Sequence, residues 1–161
     1  MASNEHEMTQ IPGSPRLLIP PMYFLVALLL MAFLHYVVPL ARIIQEPYRY
    51  AGGVIMALGL ALIAWAALLF RRAGTAIHPF ETSSALVTRG PYRFTRNPMY
   101  LGMAGVLLGA AILIGSITPF IVIPAFMAII TERFILGEEA RLEAAFGAPY
   151  LEFKSRVRRW L

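Results

Sequence analysis

The sequence predicts an all-α integral membrane protein with about four transmembrane helices. Hydrophobic residues make up 58% of the 161 residues and the mean hydropathy is +0.65, well above the values of a soluble domain. The apolar residues fall into four runs, each close to the roughly 20 residues that a helix needs to cross a bilayer. Because this length accommodates one small unit, we expect a single membrane domain over residues 1–161.

The first two spans are predicted at residues 22–40 and 50–70. Residues 1–20 precede them and are rich in proline. They lack the basic start of a signal peptide, so we expect a mobile tail that is retained. The second span contains glycines and alanines that leave a face of small residues. Another helix can pack closely there, and the same face allows a homodimer.

The last two spans, residues 98–114 and 120–136, form a C-terminal helical hairpin, because turn-forming residues separate them at 115–119. We expect residues 137–161 to form a cap outside the membrane. Its first helix should end at Gly147, and apolar residues then recur at helical spacing among basic ones. This pattern predicts an amphipathic helix at the level of the lipid headgroups.

The distribution of basic residues predicts the orientation. If the N-terminal tail faces the cytoplasm, twelve of the 14 basic residues lie on that side and only Arg42 and Arg49 lie on the other. Both termini are therefore expected in the cytoplasm, and the small size suggests a prokaryotic inner membrane. Since these residues flank apolar runs instead of forming one basic face, we expect no nucleic-acid partner.

The segment from Gly90 to Gly102 is expected to organise the site. Pro91 favours a turn, and Asn97 followed by Pro98 is typical of a helix start in which the Asn97 side chain caps an unpaired N–H group. The positive end of this helix and its neighbouring arginines predict a site for an anionic group.

All acidic residues are glutamates, and three of them, Glu132, Glu139 and Glu143, share one face of a continuous α-helix that leaves the last span. Glu138 borders that face. A solvated helix would explain the glutamates, but Glu132 at the membrane boundary needs a partner. The arginines expected to supply it lie on the same side: Arg89, Arg93, Arg96 and Arg133. For Arg71, Arg72 and the last four basic residues we favour anchoring to lipid phosphates.

Other site chemistries find no support in the sequence. Without cysteine there is no disulfide, thiolate ligand or catalytic thiol. His78 has no neighbouring ligand at metal-binding spacing, so no metal site is expected. Ser83 and Ser84 lack the partners of a hydrolase triad.

Residues 90–102, the pair Glu138 and Glu139, and the tail around Phe146, Gly147 and Tyr150 resemble the isoprenylcysteine carboxyl methyltransferase family and the related phospholipid methyltransferases. The resemblance covers the chain from about Gly74 onward. It implies an integral membrane enzyme that binds S-adenosylmethionine at the cytoplasmic face.

Carried over by position, the resemblance implies a set of cofactor-binding residues in the loop, the turn, the third span and the returning helix: His78, Leu86, Val87, Tyr92, Asn97, Pro98, Met99, Tyr100 and Glu138. Arg96, Arg133 and Glu139 are the candidates for catalysis. Asn97 stands where the eukaryotic carboxyl methyltransferases have histidine, and an amide cannot act as a base.

The expected reaction is direct displacement, in which a hydrophobic small-molecule or prenylated acceptor takes the methyl group. A carboxylate acceptor needs only orientation and desolvation, whereas an amine needs Glu138 or Glu139 to remove its proton. Two other functions stay open. One is a noncatalytic lipid-binding or assembly protein, and the other is a reductase of the sterol-reductase type with a nicotinamide cofactor.

Overall fold

The computed structural model describes residues 19–38, 40–72 and 86–161, and their regular secondary structure is helical. The predicted all-α class is thereby confirmed. The α-helices, in chain order, are α1 (Pro20–Val37), α2 (Ala51–Arg72), α3 (Pro98–Ile114), α4 (Val122–Ile130), α5 (Leu136–Phe146) and α6 (Ala148–Arg156). The expected tail at residues 1–20 lies mostly outside the described residues.

In the described part of the chain, three helical segments are long and apolar enough to cross a membrane: Pro20–Val37, Tyr48–Arg72 and Thr118–Phe146. The protein is an integral membrane protein. The helix Pro98–Ile114 is equally apolar but has only 17 residues. At about 1.5 Å per residue it is slightly shorter than a hydrocarbon core of about 30 Å, so the count of four spans stays a prediction.

Helices α2 and α3 form the most extensive helix pair, because glycines let their backbones touch. A Cβ atom built on Gly52 would lie 2.4 Å from the Gly109 carbonyl oxygen, and one on Gly59 would lie 2.7 Å from that of Gly102. The predicted small-residue face of α2 therefore receives a helix of the same chain. Gly53 is different, since a Cβ there would have no neighbour within 4 Å.

Helix α1 packs against α3 and α4, and together they bury the apolar core. Two edge-to-face aromatic pairs join α1 to the helical segment Thr118–Phe146. They are Tyr23 with Phe134 and Phe24 with Phe126. At the far end of α1, His35 Nδ1 lies 2.8 Å from the hydroxyl of Ser116 in the turn between α3 and α4. We call this the turn end of the molecule, and the opposite end, which carries residues 90–97, the motif end.

A five-residue π-helical turn, Thr131–Ile135, connects α4 to α5 without interrupting the helix. The helix ends at Phe146, as predicted, and Gly147 follows with a positive φ of 55°. The predicted amphipathic helix is shorter than expected. It ends at Arg156, and Val157 has extended backbone angles, because residues 157–161 bind other parts of the chain.

Candidate active site

The turn before α3 lies on the end of α2. Residues Gly90–Arg93 form a 3₁₀ turn in which Gly90 has a φ of +61°. A Cβ at Gly90 would approach the Leu69 side chain to 2.7 Å, so the turn needs glycine for both its conformation and its packing. The Tyr92 ring lies 5.4 Å from the ring of Phe70 at the end of α2. The turn is thereby fixed to the scaffold.

Pro98 begins α3, as predicted, but the Asn97 side chain does not cap the helix. Its Nδ2 group donates a hydrogen bond of 3.0 Å to the carbonyl oxygen of Arg159 instead. Its backbone N–H donates to the hydroxyl of Thr95. The predicted cap is wrong because a partner distant in sequence takes the side chain. The first N–H groups of α3 thus have no side-chain cap.

Two tyrosines and Glu138 form a polar cluster at the motif end, which we call the tyrosine–glutamate pocket. The Tyr100 hydroxyl donates a hydrogen bond of 2.7 Å to Glu138 Oε1. Tyr92 is only 5% exposed, and its hydroxyl finds no hydrogen-bond partner among the described residues. Burial, and then the nearby charge of Glu138, raise the pKa of Tyr92. The phenol therefore keeps its proton and is a buried donor without an acceptor among the described residues, although buried polar groups are normally hydrogen-bonded.

Glu139, next in sequence, has different partners. It accepts a hydrogen bond of 2.9 Å from Arg96 and two, of 2.8 and 2.9 Å, from the Arg159 guanidinium. The Glu139 side chain is 7% exposed and that of Arg96 is 10% exposed, so this is a buried ion-pair network. The hydrogen bond to Glu139 raises the pKa of Arg159. Glu139 and Arg96 therefore hold each other in place.

Three of the basic residues that the sequence assigned to lipid anchoring pair with glutamates. Arg159, assigned to lipid anchoring, pairs with Glu139, and Lys154 pairs with Glu143 at 3.0 Å. Arg156 pairs with Glu152. Sequence reasoning missed Arg159 because its partner lies 20 positions away. A signal was nevertheless present, since a carboxylate near the membrane needs a buried cation.

Glu132 and Arg133 lie in the π turn, and both are exposed. The expectation that Glu132, Glu139 and Glu143 share one face assumed an uninterrupted α-helix. A π turn changes the angular register of all residues after it. Glu139 consequently faces Arg96 while Glu132 faces outward, and Arg133 makes none of the described side-chain hydrogen bonds.

Residues 157–161, which we call the C-terminal strap, close the motif end. The backbone N–H of Arg96 donates to the carbonyl oxygen of Arg158 at 2.9 Å, and the Thr95 hydroxyl donates to that of Arg159 at 3.1 Å. Further along, Trp160 Nε1 donates to the Thr131 hydroxyl at 3.3 Å. The strap thus joins the turn before α3 to the π turn.

An apolar groove of about 410 Å³ begins beside this site and follows α3. Helices α2, α3 and α4 form its walls, and Leu161 of the strap contributes to its lining. Leu101 and Gly102 lie in the lining, directly after Tyr100 of the tyrosine–glutamate pocket. The groove and the pocket therefore occupy neighbouring faces of the first turn of α3.

The remaining candidates are only partly described. His78 lies outside the described residues. Leu86, Val87 and Met99 are half-buried at the motif end, and Pro98 is buried at the start of α3. Within residues 19–38, 40–72 and 86–161, no group of three potential ligands is placed to hold a metal ion.

Residues 47–149 match the family model described as phospholipid methyltransferase. The chain belongs to this family. The match begins just before α2 and ends at the start of α6, so it includes the tyrosine–glutamate pocket and Glu139. It leaves out α1 and the C-terminal strap. Membership implies a membrane methyltransferase, in agreement with the resemblance seen in the sequence.

A relative from Haemophilus influenzae (strain ATCC 51907 / DSM 11121 / KW20 / Rd), called an uncharacterized protein, is 35% identical over 63 residues. The alignment covers 39% of this chain and all of the relative.

Proposed function

We propose that this protein transfers a methyl group from S-adenosylmethionine to the carboxylate or amine of a hydrophobic, isoprenoid- or lipid-like acceptor at the cytoplasmic membrane face. One observation carries the proposal. A pocket with a buried, unpartnered phenol and a glutamate lies next to an apolar groove on the first turn of α3. A polar cofactor and an apolar acceptor need such a juxtaposition.

The residues of the pocket fit the cofactor. S-adenosylmethionine carries a sulfonium, an ammonium, a carboxylate and a ribose diol, and when bound it would supply an electrophilic methyl group. Glu138 offers a negative charge for the cationic groups, and Tyr92 offers its unpartnered hydroxyl. The uncapped N–H groups of α3 suit an anionic group. We propose Tyr92, Tyr100 and Glu138 as the principal contacts, with Leu86, Val87, Asn97 and Met99 around them.

The protein's own groups suit either acceptor. A carboxylate needs orientation and loss of water, which an apolar groove ending at the pocket provides. An amine needs a base, and Glu138 is the candidate because it faces the pocket, whereas Glu139 is bonded to Arg96 and Arg159. Arg96 and Glu139, first considered for catalysis, are better assigned to positioning the turn before α3.

Titration calorimetry with S-adenosylmethionine tests the proposal on the purified protein in nanodiscs. We expect saturable binding that weakens at least about 10-fold in Glu138→Gln and in Tyr100→Phe, since a hydrogen bond to a charged group contributes about 1.5–3 kcal/mol. Glu143→Gln is the control, because Glu143 is a half-exposed glutamate of the same helix that pairs with Lys154.

Equal affinity in all three variants would remove the pocket as the cofactor site. Two other results would favour the remaining functions. If NADPH binds and displaces S-adenosylmethionine, a reductase function is favoured. If neither cofactor binds, a noncatalytic lipid-binding or assembly role is the better explanation.

A further inference from the structure

The C-terminal strap lies where the groove meets the tyrosine–glutamate pocket. Its carbonyl groups at Arg158 and Arg159 accept hydrogen bonds from residues 95–97, immediately before α3. Two residues later, Leu161 lines the groove together with Leu101 and Gly102. The strap is therefore the element that touches both the polar start of α3 and the apolar groove.

The two residues that precede Leu161 are held by contacts with other parts of the chain. Arg159 is bonded to buried Glu139, and Trp160 is bonded to Thr131 of the π turn and packs against the apolar core. Leu161 itself is 72% exposed. The two residues before it are held while its own side chain is available for contact, which distinguishes it from the buried leucines of the core.

The groove has a defined kind of occupant. Its lining is made of aliphatic side chains and glycines of α2, α3 and α4, together with Leu161. These helices are the apolar part of a membrane protein, so the groove excludes polar ligands. Since it begins on the helix turn that carries Tyr100, a chain inside it would place its polar head at the pocket.

We propose that Leu161 is a specificity-determining residue, which sets how much branching the acceptor carries next to its methyl-accepting group. This inference rests on the proposed function, because it takes the occupant of the groove to be the acceptor's apolar chain. Leu161 limits the width of the groove at its polar end. Residues deeper in the groove, such as Leu108 and Ile123, limit its length.

Substitutions at Leu161 should change selectivity in opposite directions. Leu161→Ala removes three carbon atoms and widens the entrance of the groove. A methyl-branched chain should therefore bind more tightly relative to a straight one. Leu161→Phe narrows the entrance and should have the reverse effect. Contact with one methylene group changes an affinity about 4-fold, so we expect each variant to shift the ratio of the two affinities by at least about 3-fold.

The two tryptophans of the chain provide a direct readout. In a Trp65→Phe background, Trp160 is the single tryptophan, and it neighbours Leu161. Dibrominated stearic acid added to the protein in nanodiscs should quench Trp160 saturably. Branched farnesoic acid and straight dodecanoic acid, whose backbones are equally long, then compete with the probe for the groove. Farnesylamine and dodecylamine repeat this comparison with an amine head.

Leu151→Ala and Leu151→Phe are the matched controls, because Leu151 is an exposed leucine of α6 outside the groove. The inference is supported if only the Leu161 variants shift the branched-to-straight ratio, and in opposite directions. It is overturned if the ratio is the same in all variants, or if neither chain displaces the probe from the unsubstituted groove.

Binding of S-adenosylmethionine, measured in the same samples, separates this inference from the proposed function. If S-adenosylmethionine binds but the branched-to-straight ratio stays the same in the Leu161 variants, only the role of Leu161 is contradicted. If the Leu161 variants shift the branched-to-straight ratio but the protein binds no S-adenosylmethionine, only the methyltransferase proposal is contradicted.

Discussion

Neighbouring glutamates have separate tasks in this protein. Glu138 and Glu139 are adjacent in the sequence, but side chains one residue apart on a helix point about 100° apart. Glu138 accepts a hydrogen bond from the Tyr100 hydroxyl beside the unpartnered Tyr92, whereas Glu139 is bonded to Arg96 and Arg159. The first is suited to binding and the second to holding the fold of the site together.

The buried network of Glu139 should matter for stability. In Glu139→Ala, the Arg96 guanidinium would stay buried without its carboxylate, and such an uncompensated charge costs about 3–5 kcal/mol. We therefore expect a large drop in the thermal midpoint, measured by tryptophan fluorescence in detergent. In Glu143→Ala the lost pair is half-exposed and contributes about 0–1 kcal/mol, so the midpoint should hardly move. Equal effects in the two variants would contradict the assignment of Glu139.

At the scale of elements, the contact between α2 and α3 positions the site. The turn that carries Tyr92 lies on the end of α2, while Tyr100 lies on α3, so the distance between these helices sets the shape of the pocket. Gly52 and Gly59 meet Gly109 and Gly102, and each close approach joins backbone to backbone. Such contacts leave no room for a side chain.

A valine at Gly59 should separate α2 from α3, because even a Cβ there would lie 2.7 Å from a backbone oxygen. We expect a lower thermal midpoint and weaker binding of S-adenosylmethionine. Gly53→Val is the control, since a Cβ at Gly53 has no neighbour within 4 Å. If Gly59→Val is as stable as Gly53→Val, the close backbone contact between α2 and α3 at Gly59 is contradicted.

At the scale of the whole molecule, separate parts of the chain meet at the motif end. They include the end of α2, the turn before α3, the start of α3, the start of α5 and the strap. The turn end has a different character, with the His35–Ser116 contact and hydrogen bonds from Ile43 and Ile44 to Gly115. The two ends are therefore candidates for opposite membrane surfaces.

Single cysteines test this arrangement cleanly, because the chain has none of its own. We expect Arg93→Cys and Glu152→Cys, both exposed at the motif end, to react with an impermeant maleimide from the cytoplasmic side. Tyr48→Cys, 76% exposed near the turn end, should react from the opposite side. Labelling of all three from one side would contradict the predicted topology.

The sequence alone determined the helical membrane class, the hairpin of α3 and α4, the start of α3 at Pro98 and the end of α5 before Gly147. These features depend on local properties, namely apolar length, turn residues and the fixed φ of proline. The family resemblance also followed from a contiguous motif, and the residues it named at the motif end include Tyr92, Tyr100 and Glu138.

Only the tertiary structure decided which charged groups pair and which remain available. The Asn97 side chain binds the carbonyl group of Arg159, and Arg159 binds Glu139. The partners lie 62 and 20 positions apart, and the π turn at Thr131–Ile135 sets the helix register of Glu139, which follows it. Hydrogen bonds form between groups that are close in space, so a linear pattern that predicts each helix does not predict which side chains meet.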